Sequence, residues 1–313
     1  MPARPSSTPL LSAHSKGLLA ALLVVICWSG FNIVSRFGST ASFNAFDLAA
    51  LRYSVSGILA LPFFLSRVPR RDWPRHAVLA LFGGLGYGIL VYTGFGFAPA
   101  AHAGVFVNGG IPFWTVIIVA VLAGFRIPQQ TLLALLLSAS GLLLIGWHSL
   151  GQSQTQADTG TAVWIGDLFF LAAALCWSIF GLLMRRWQIR PQLGIAGIAS
   201  FSMLVFMPIY LLFLPSQLAS ADWGAITLQA IYQGVIAALL AAGMYAYAVQ
   251  QIGACQASMM LALVPAFSAV GGALLLDESL GWISLSGIAV VSLGAVLGAL
   301  PTRPSATPDL RKP

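Results

Sequence analysis

Ten stretches of about 20 mostly apolar residues, set one after another, constrain this chain more than any other feature. They run over residues 17–37, 44–65, 76–98, 100–124, 129–147, 164–184, 192–214, 226–249, 252–276 and 281–300. At about 1.5 Å of rise per residue, a helix of that length crosses a hydrocarbon layer of about 30 Å. Of the 313 residues only 7% are charged while 58% are hydrophobic, so too little polar surface exists to clothe a body of this size in water. A soluble globule is excluded, and an all-α polytopic membrane protein is expected. Cys27, Cys176 and Cys255 each stand alone in an apolar run, which suits small buried side chains and neither a disulfide framework nor a zinc site. The junctions at Pro99 and Gly253 are so short that spans three and four, and eight and nine, are expected to form tight antiparallel hairpins.

An even number of spans puts both chain ends on one side of the membrane. Thirteen Lys and Arg residues fall on that side, Arg36 alone falls on the other, and Arg52 lies inside the second span. Basic residues stay in the cytoplasm during insertion, so both termini are expected there, in a multi-pass plasma (inner) membrane protein. The formal charge of +7 is spread between apolar segments and not along one amphipathic face, so no nucleic acid partner is expected. The first span is expected to persist in the mature chain, because its motif recurs in mid-chain and no A-x-A-like site follows it. The Pro/Ser-rich ends, 1–16 and 301–313, are expected to be disordered cytoplasmic tails, with 148–163 an extracytoplasmic linker.

The chain also repeats itself. Cys27-Trp28-Ser29-Gly30-Phe31, with Arg36 five residues on, returns as Cys176-Trp177-Ser178-Ile179-Phe180 with Arg185, at an offset of 149. An offset of 153 maps Pro112 onto Pro265 and Tyr92 onto Tyr245. The halves, 17–147 and 164–300, hold five spans each, and an odd number forces the second half to enter the membrane the other way round. The expected architecture is therefore ten transmembrane helices in two inverted five-helix repeats. Such pairs place a substrate site near mid-depth where the halves meet, and rocking exposes it alternately to each side.

These residues carry a family resemblance. The chain resembles the EamA-type members of the drug/metabolite transporter superfamily, as two EamA-like repeats. The likeness rests on the Cys-Trp-Ser segments, Phe46-Asp47-Leu48-Ala49-Ala50-Leu51-Arg52-Tyr53, Gly166-Asp167, the Ala-rich approaches to Pro112 and Pro265, Leu276-Asp277-Glu278-Ser279-Leu280 and Gly287. The family's carboxylate after the ninth helix matches Glu278, whereas Gly124-Phe125-Arg126 stands where its counterpart after the fourth helix belongs. The resemblance implies secondary transport of small metabolites, often amino acids or drugs, usually outward.

Arg52 is the sharpest candidate for a binding residue. It lies roughly 12 Å inside its span, where a charge costs about 2.5 to 3.5 kcal/mol, and Asp47 is about 140° away round the helix axis. Either Arg52 faces a water-filled cavity and binds a carboxylate, or it pairs with a carbonyl or an acid on another helix. Trp28, Asn32 and Arg36 form a stripe at i, i+4 and i+8; Trp177 and Ser178 stand in the matching place, with Gly181 replacing Asn32. Tyr87, Tyr92, Asn108 and Tyr245 complete the expected binding set. Gly109, Gly110 and Pro112, with Pro265 opposite, are expected to interrupt their helices and act as hinges, because proline removes a donor and clashes with the preceding turn. Gly84, Gly88 and Gly96 share a stripe with Tyr92 that favours close packing. His102 reads as a satisfied interfacial histidine, and Asp47 and Asp167 as caps at helix N-termini.

No catalytic constellation, metal set or nucleotide motif is present in the sequence, so neither enzyme activity nor a cofactor is expected. No Asp or Glu lies at mid-depth, which argues against a lipophilic-cation antiporter. The favoured function is export of small organic metabolites such as amino acids or small carboxylates by alternating access. A multidrug exporter on the same scaffold is the alternative, and a membrane enzyme or scaffold the third reading. The partners expected are a small-molecule substrate and the lipid bilayer; a monomer and a homodimer stay open.

Overall fold

The computed structural model describes residues 13–124, 127–155 and 162–299. Most of the two expected tails, much of the expected linker, and Phe125 and Arg126 lie outside the described residues. Among those described there is no strand, and helices follow one another as α1 (Ala13–Ala41), α2 (Ala45–Arg67), α3 (Arg70–Phe95), α4 (Ala100–Ala123) and α5 (Gln129–Thr155). The second half continues with α6 (Val163–Arg186), α7 (Pro191–Phe213), α8 (Trp223–Gly253), α9 (254–276) and α10 (Trp282–Ala299). The bundle has a near end, at which α1 begins, and a far end opposite.

Eight of these helices are long and apolar enough to cross a membrane; Val264–Leu276 and Trp282–Gly298 are shorter, where ten full spans were expected. The shortfall in α9 has a local cause. After Gly253 reverses the chain at φ 82°, the helix runs to Leu261, breaks into a turn at Ala262-Leu263, and restarts with Pro265 in its first turn. The interruption expected at Pro265 is therefore present, whereas α4 runs unbroken through Gly109, Gly110 and Pro112. Other ends follow from local chemistry. Asn44 caps α2, its side chain accepting from the amides of Phe46 and Asp47 while Asp47 accepts from the Asn44 amide, a complete capping box. Gly124 closes α4 in the left-handed conformation, φ 58°.

Helix packing repeats when the halves are exchanged. α1 packs on α8 and α9, as α6 packs on α3 and α4; α2 packs on α8, as α7 packs on α3. The self-related pairs α2–α7, α4–α9 and α5–α10 join the repeats. With five helices in each half, this is the pattern of an inverted pair. The reversals at 96–99 and Gly253 are short as expected, but the arms of the first do not lie against each other: α3 and α4 each pack mainly on α6 of the other repeat. Large apolar side chains such as Trp147, Phe213, Leu274 and Trp282 point outward, as they must on a surface facing lipid.

Two features left no sign in the sequence. Leu81–Gly86 in α3 and Tyr232–Leu240 in α8 are π-helical. They occupy corresponding stretches of the two repeats, and π turns inside α-helices recur at functional sites.

Candidate functional site

A cavity lies between the repeats. Its wall comprises Trp28, Phe31 and Asn32 from α1, Arg52, Tyr53 and Ser56 from α2, Gly83 and Tyr87 from α3, and Val107, Asn108 and Ile111 from α4. The second repeat adds Trp177 from α6, Ile195, Ile198 and Ala199 from α7, and Ala237, Ala238 and Ala242 from α8. Both π segments supply wall residues. Tyr53 donates from its hydroxyl to the Gly84 carbonyl at 2.7 Å, and a Cβ at Gly88 would collide with that hydroxyl. The glycine stripe of α3 thus makes room for side chains of α2 and α7 more than for another backbone.

Of the residues expected to bind substrate, Trp28, Asn32, Arg52, Tyr87, Asn108 and Trp177 line the cavity. Tyr92, Ser178 and Tyr245 stand behind the wall and support it. Tyr245 packs on the Trp28 ring with centroids 5.7 Å apart, and Tyr87 packs on Trp177 at 4.8 Å. Ser178 donates to the carbonyls of Ala174 and Ile111, both at 2.8 Å. Its repeat counterpart Ser29 donates to Val264 at 3.3 Å. Each serine therefore reaches the carbonyl of the residue just before the proline of the partner helix, Pro112 in one case and Pro265 in the other. Asn32 donates to the Ser268 hydroxyl at 2.9 Å, and Asn108 to Gly104 at 2.9 Å. At Gly181, the counterpart of Asn32, a side chain would enter open space.

Among the described residues, Arg52 supplies the only formal charge in this wall. Its guanidinium stands 5.4 Å from the centroid of Phe31 and within electrostatic reach of Tyr92, Tyr87 and Tyr53. Among the described residues no carboxylate approaches it within ion-pair distance. Asp47 faces elsewhere, as the angle along α2 requires: it accepts from the Tyr210 hydroxyl at 2.6 Å and from the Gln217 amide. The rings and hydroxyls lessen the burial cost of the cation but add no opposite charge.

Beyond Arg52, toward the far end, the bundle is closed by polar layers. Tyr92 donates to Gln233 at 3.0 Å, Gln233 donates to Ser35 and to Gln229, and Gln229 donates to the Val34 carbonyl. Gln229 and Gln233 are both fully buried. Their i, i+4 spacing in an apolar run was a usable sign of a polar face turned inward. At the far end itself Arg36 donates to Glu278 at 3.1 Å and to the Phe95 carbonyl, while Glu278 accepts from the Ala100 amide at the start of α4. His102 and Asp167 meet at 2.7 Å, buried, so Asp167 joins α6 to α4 where an N-terminal cap was expected. The second oxygen of Asp167 has no partner among the described residues. Toward the near end the wall is Ile, Ala and Trp, with no comparable ion pair joining the repeats among the described residues. No group of three or more His, Cys, Asp or Glu that could hold a metal ion occurs there either.

Against known proteins, the EamA-like transporter family matches this chain twice, over residues 15–147 and 164–299. An uncharacterized transporter of Bacillus subtilis (strain 168), YyaM, is 22% identical over 206 residues, 63% of this chain and 63% of its own length, so the match spans less than two thirds of that relative. The aromatic amino acid exporter YddG of Ancylobacter novellus is 26% identical over 215 residues, 65% of this chain and 70% of its own. A solved crystal structure superposes with a TM-score of 0.59 at 20% identity, covering 91% of this chain and 97% of that one, which shows a shared fold.

Proposed function

The chain belongs to the EamA-like transporter family, and from that premise we propose that it exports small carboxylate-bearing metabolites, amino acids or small organic acids, across the inner membrane. The single observation that carries this is Arg52, a cation without a carboxylate partner among the described residues, in the wall of an aromatic-lined cavity between two inverted repeats. A half-buried cation of that kind suits an anion, and a substrate carboxylate supplies one with bidentate geometry. Trp28, Tyr87 and Trp177 give the rest of the solute flat apolar surfaces, and Asn32 and Asn108 offer amide oxygens. The near end is taken to face the cytoplasm, because Lys16, Arg67, Arg70, Arg71, Arg75, Arg185, Arg186 and Arg190 fall at helix ends on that side. With the far end bonded shut, the arrangement is that of a carrier that loads from the cytoplasm. Substrate then shifts the balance toward a state in which the far-end layers separate. The relative named as an aromatic amino acid exporter supports outward movement and an aromatic cargo. Lipophilic cations, the cargo of the multidrug alternative, would meet the charge of Arg52.

Flux into proteoliposomes tests the reading. Saturable movement of at least one carboxylate-bearing solute is expected, reduced about tenfold or more by Arg52→Gln in protein that still melts normally. Flux of cationic dyes alone, or carboxylate flux indifferent to Arg52→Gln, overturns it.

A further inference from the structure

The charges around the cavity say more than that a carboxylate fits; resting on the reading of this cavity as the substrate site, we infer that the cargo is a net monoanion with an aromatic body, and that its transport is electrogenic. Among the described residues the wall contains one cation and no anion. Every described acid sits at a helix end, and those nearest the cavity are already engaged. Asp47 holds Tyr210 and the Gln217 amide; Glu278 holds Arg36 and the Ala100 amide; Asp167 holds His102. Asp72 lies beside Arg71 and Arg75 at the near end, and Asp222 caps α8.

A zwitterionic amino acid would bring its carboxylate to Arg52 and leave its ammonium with amide oxygens and ring faces, so the filled cavity would still carry a full positive charge. A monocarboxylate lacking the ammonium leaves the filled cavity neutral. In a site walled by Ile, Ala and aromatic rings that difference is weakly screened, and it orders the ligands as anion, then zwitterion, then cation. The aromatic body follows from Trp28, Phe31, Tyr87 and Trp177, whose rings share the wall with the cation, Phe31 lying against it. Arg52 belongs to the wall and does not travel with the cargo. Each turnover therefore moves one negative charge, and an inside-negative membrane potential drives the cargo outward with no coupling ion.

Three probes separate the charges on one framework: 3-phenylpropionate, L-phenylalanine and 2-phenylethylamine. In calorimetry with the purified full chain, 3-phenylpropionate is expected to bind about tenfold or more tightly than phenylalanine, with no measurable binding of the amine. Arg52→Gln is expected to erase the preference and Arg52→Lys to retain part of it; should Arg52→Gln not fold, the wild-type ranking decides alone. On a solid-supported membrane, a 3-phenylpropionate gradient is expected to give a current with the sign of a moving anion, enhanced by a potassium–valinomycin potential. Phenylalanine binding as tightly as 3-phenylpropionate, still through Arg52, overturns the monoanion inference and leaves the carboxylate site standing. Electroneutral flux of 3-phenylpropionate overturns the electrogenic part. Failure of all three probes to bind overturns the aryl monoanion itself, and a simultaneous failure of every carboxylate in the flux panel overturns the site.

Discussion

The two repeats share a frame and differ in what they hang on it. In both, a tryptophan of the first helix meets a tyrosine of the other repeat's third helix, Trp28 with Tyr245 and Trp177 with Tyr87. In both, a serine one residue on bonds the carbonyl ahead of a proline, and a π segment interrupts the third helix. The differences are polar. Asn32 in α1 is bonded to Ser268, while Gly181 in α6 leaves space; Glu278 after α9 clamps Arg36, while Phe125 stands in the equivalent place after α4. Shared elements build the scaffold, and unshared ones give the cavity its polar side and the far end its clamp. Perfect symmetry would make both ends equally tight; this chain has given that up.

Five substitutions break or sharpen the comparison. Glu278→Ala is expected to do most, leaving a largely buried Arg36 unpaired and the Ala100 amide unsatisfied, at a cost of about 3 kcal/mol. Thermal unfolding reads that loss. A cysteine at Ser35 in an otherwise cysteine-free chain should also become reactive to an impermeant thiol reagent from the far side. Asp167→Asn comes next: it replaces the carboxylate facing His102 and puts an amide group where a buried oxygen has no partner among the described residues, at about 2 kcal/mol in the same assay. Ser29→Ala and Ser178→Ala probe the shared frame, and each is expected to cost about 1 kcal/mol, with Ser178 the costlier because its bonds are shorter. A large inequality between the two, or a strong departure from additivity in the double variant, would break the repeat equivalence. Gly181→Asn is the smallest, within about 0.5 kcal/mol, because the new side chain enters open space and the helix gains a better former than glycine. Its readout is the solute range of the carrier, which should shift while stability holds.

Much of the frame was legible in the sequence, for a physical reason. A bilayer sets a length, so apolar runs of about 20 residues announce themselves, and an odd number of them in a duplicated unit announces inversion. The angular argument at Asp47 and Arg52 also needed only one helix. The hidden part was lateral. Inside lipid a helix is apolar all round, so the spacing of Gln229 and Gln233 marks an inward face without naming α1 as what it meets, and the meeting of His102 with Asp167 leaves no periodic trace. Proline shows the limit most clearly. The same residue at matched positions leaves α4 whole and splits α9, because the effect of a lost backbone bond is set by the neighbours that re-satisfy the freed carbonyl as well as by the residue itself.

The π segments of α3 and α8 have one more consequence. A π turn holds an extra residue, and tightening one to an α turn would swing everything beyond it by about 100° with every span still in place. Tyr87 directly follows the segment in α3, and Tyr245 lies a few residues past the one in α8. The slack wound into these two helices is thus geared to the far-end layers, because the turn that re-aims Tyr87 would also carry Tyr92 away from Gln233 and the Phe95 carbonyl away from Arg36.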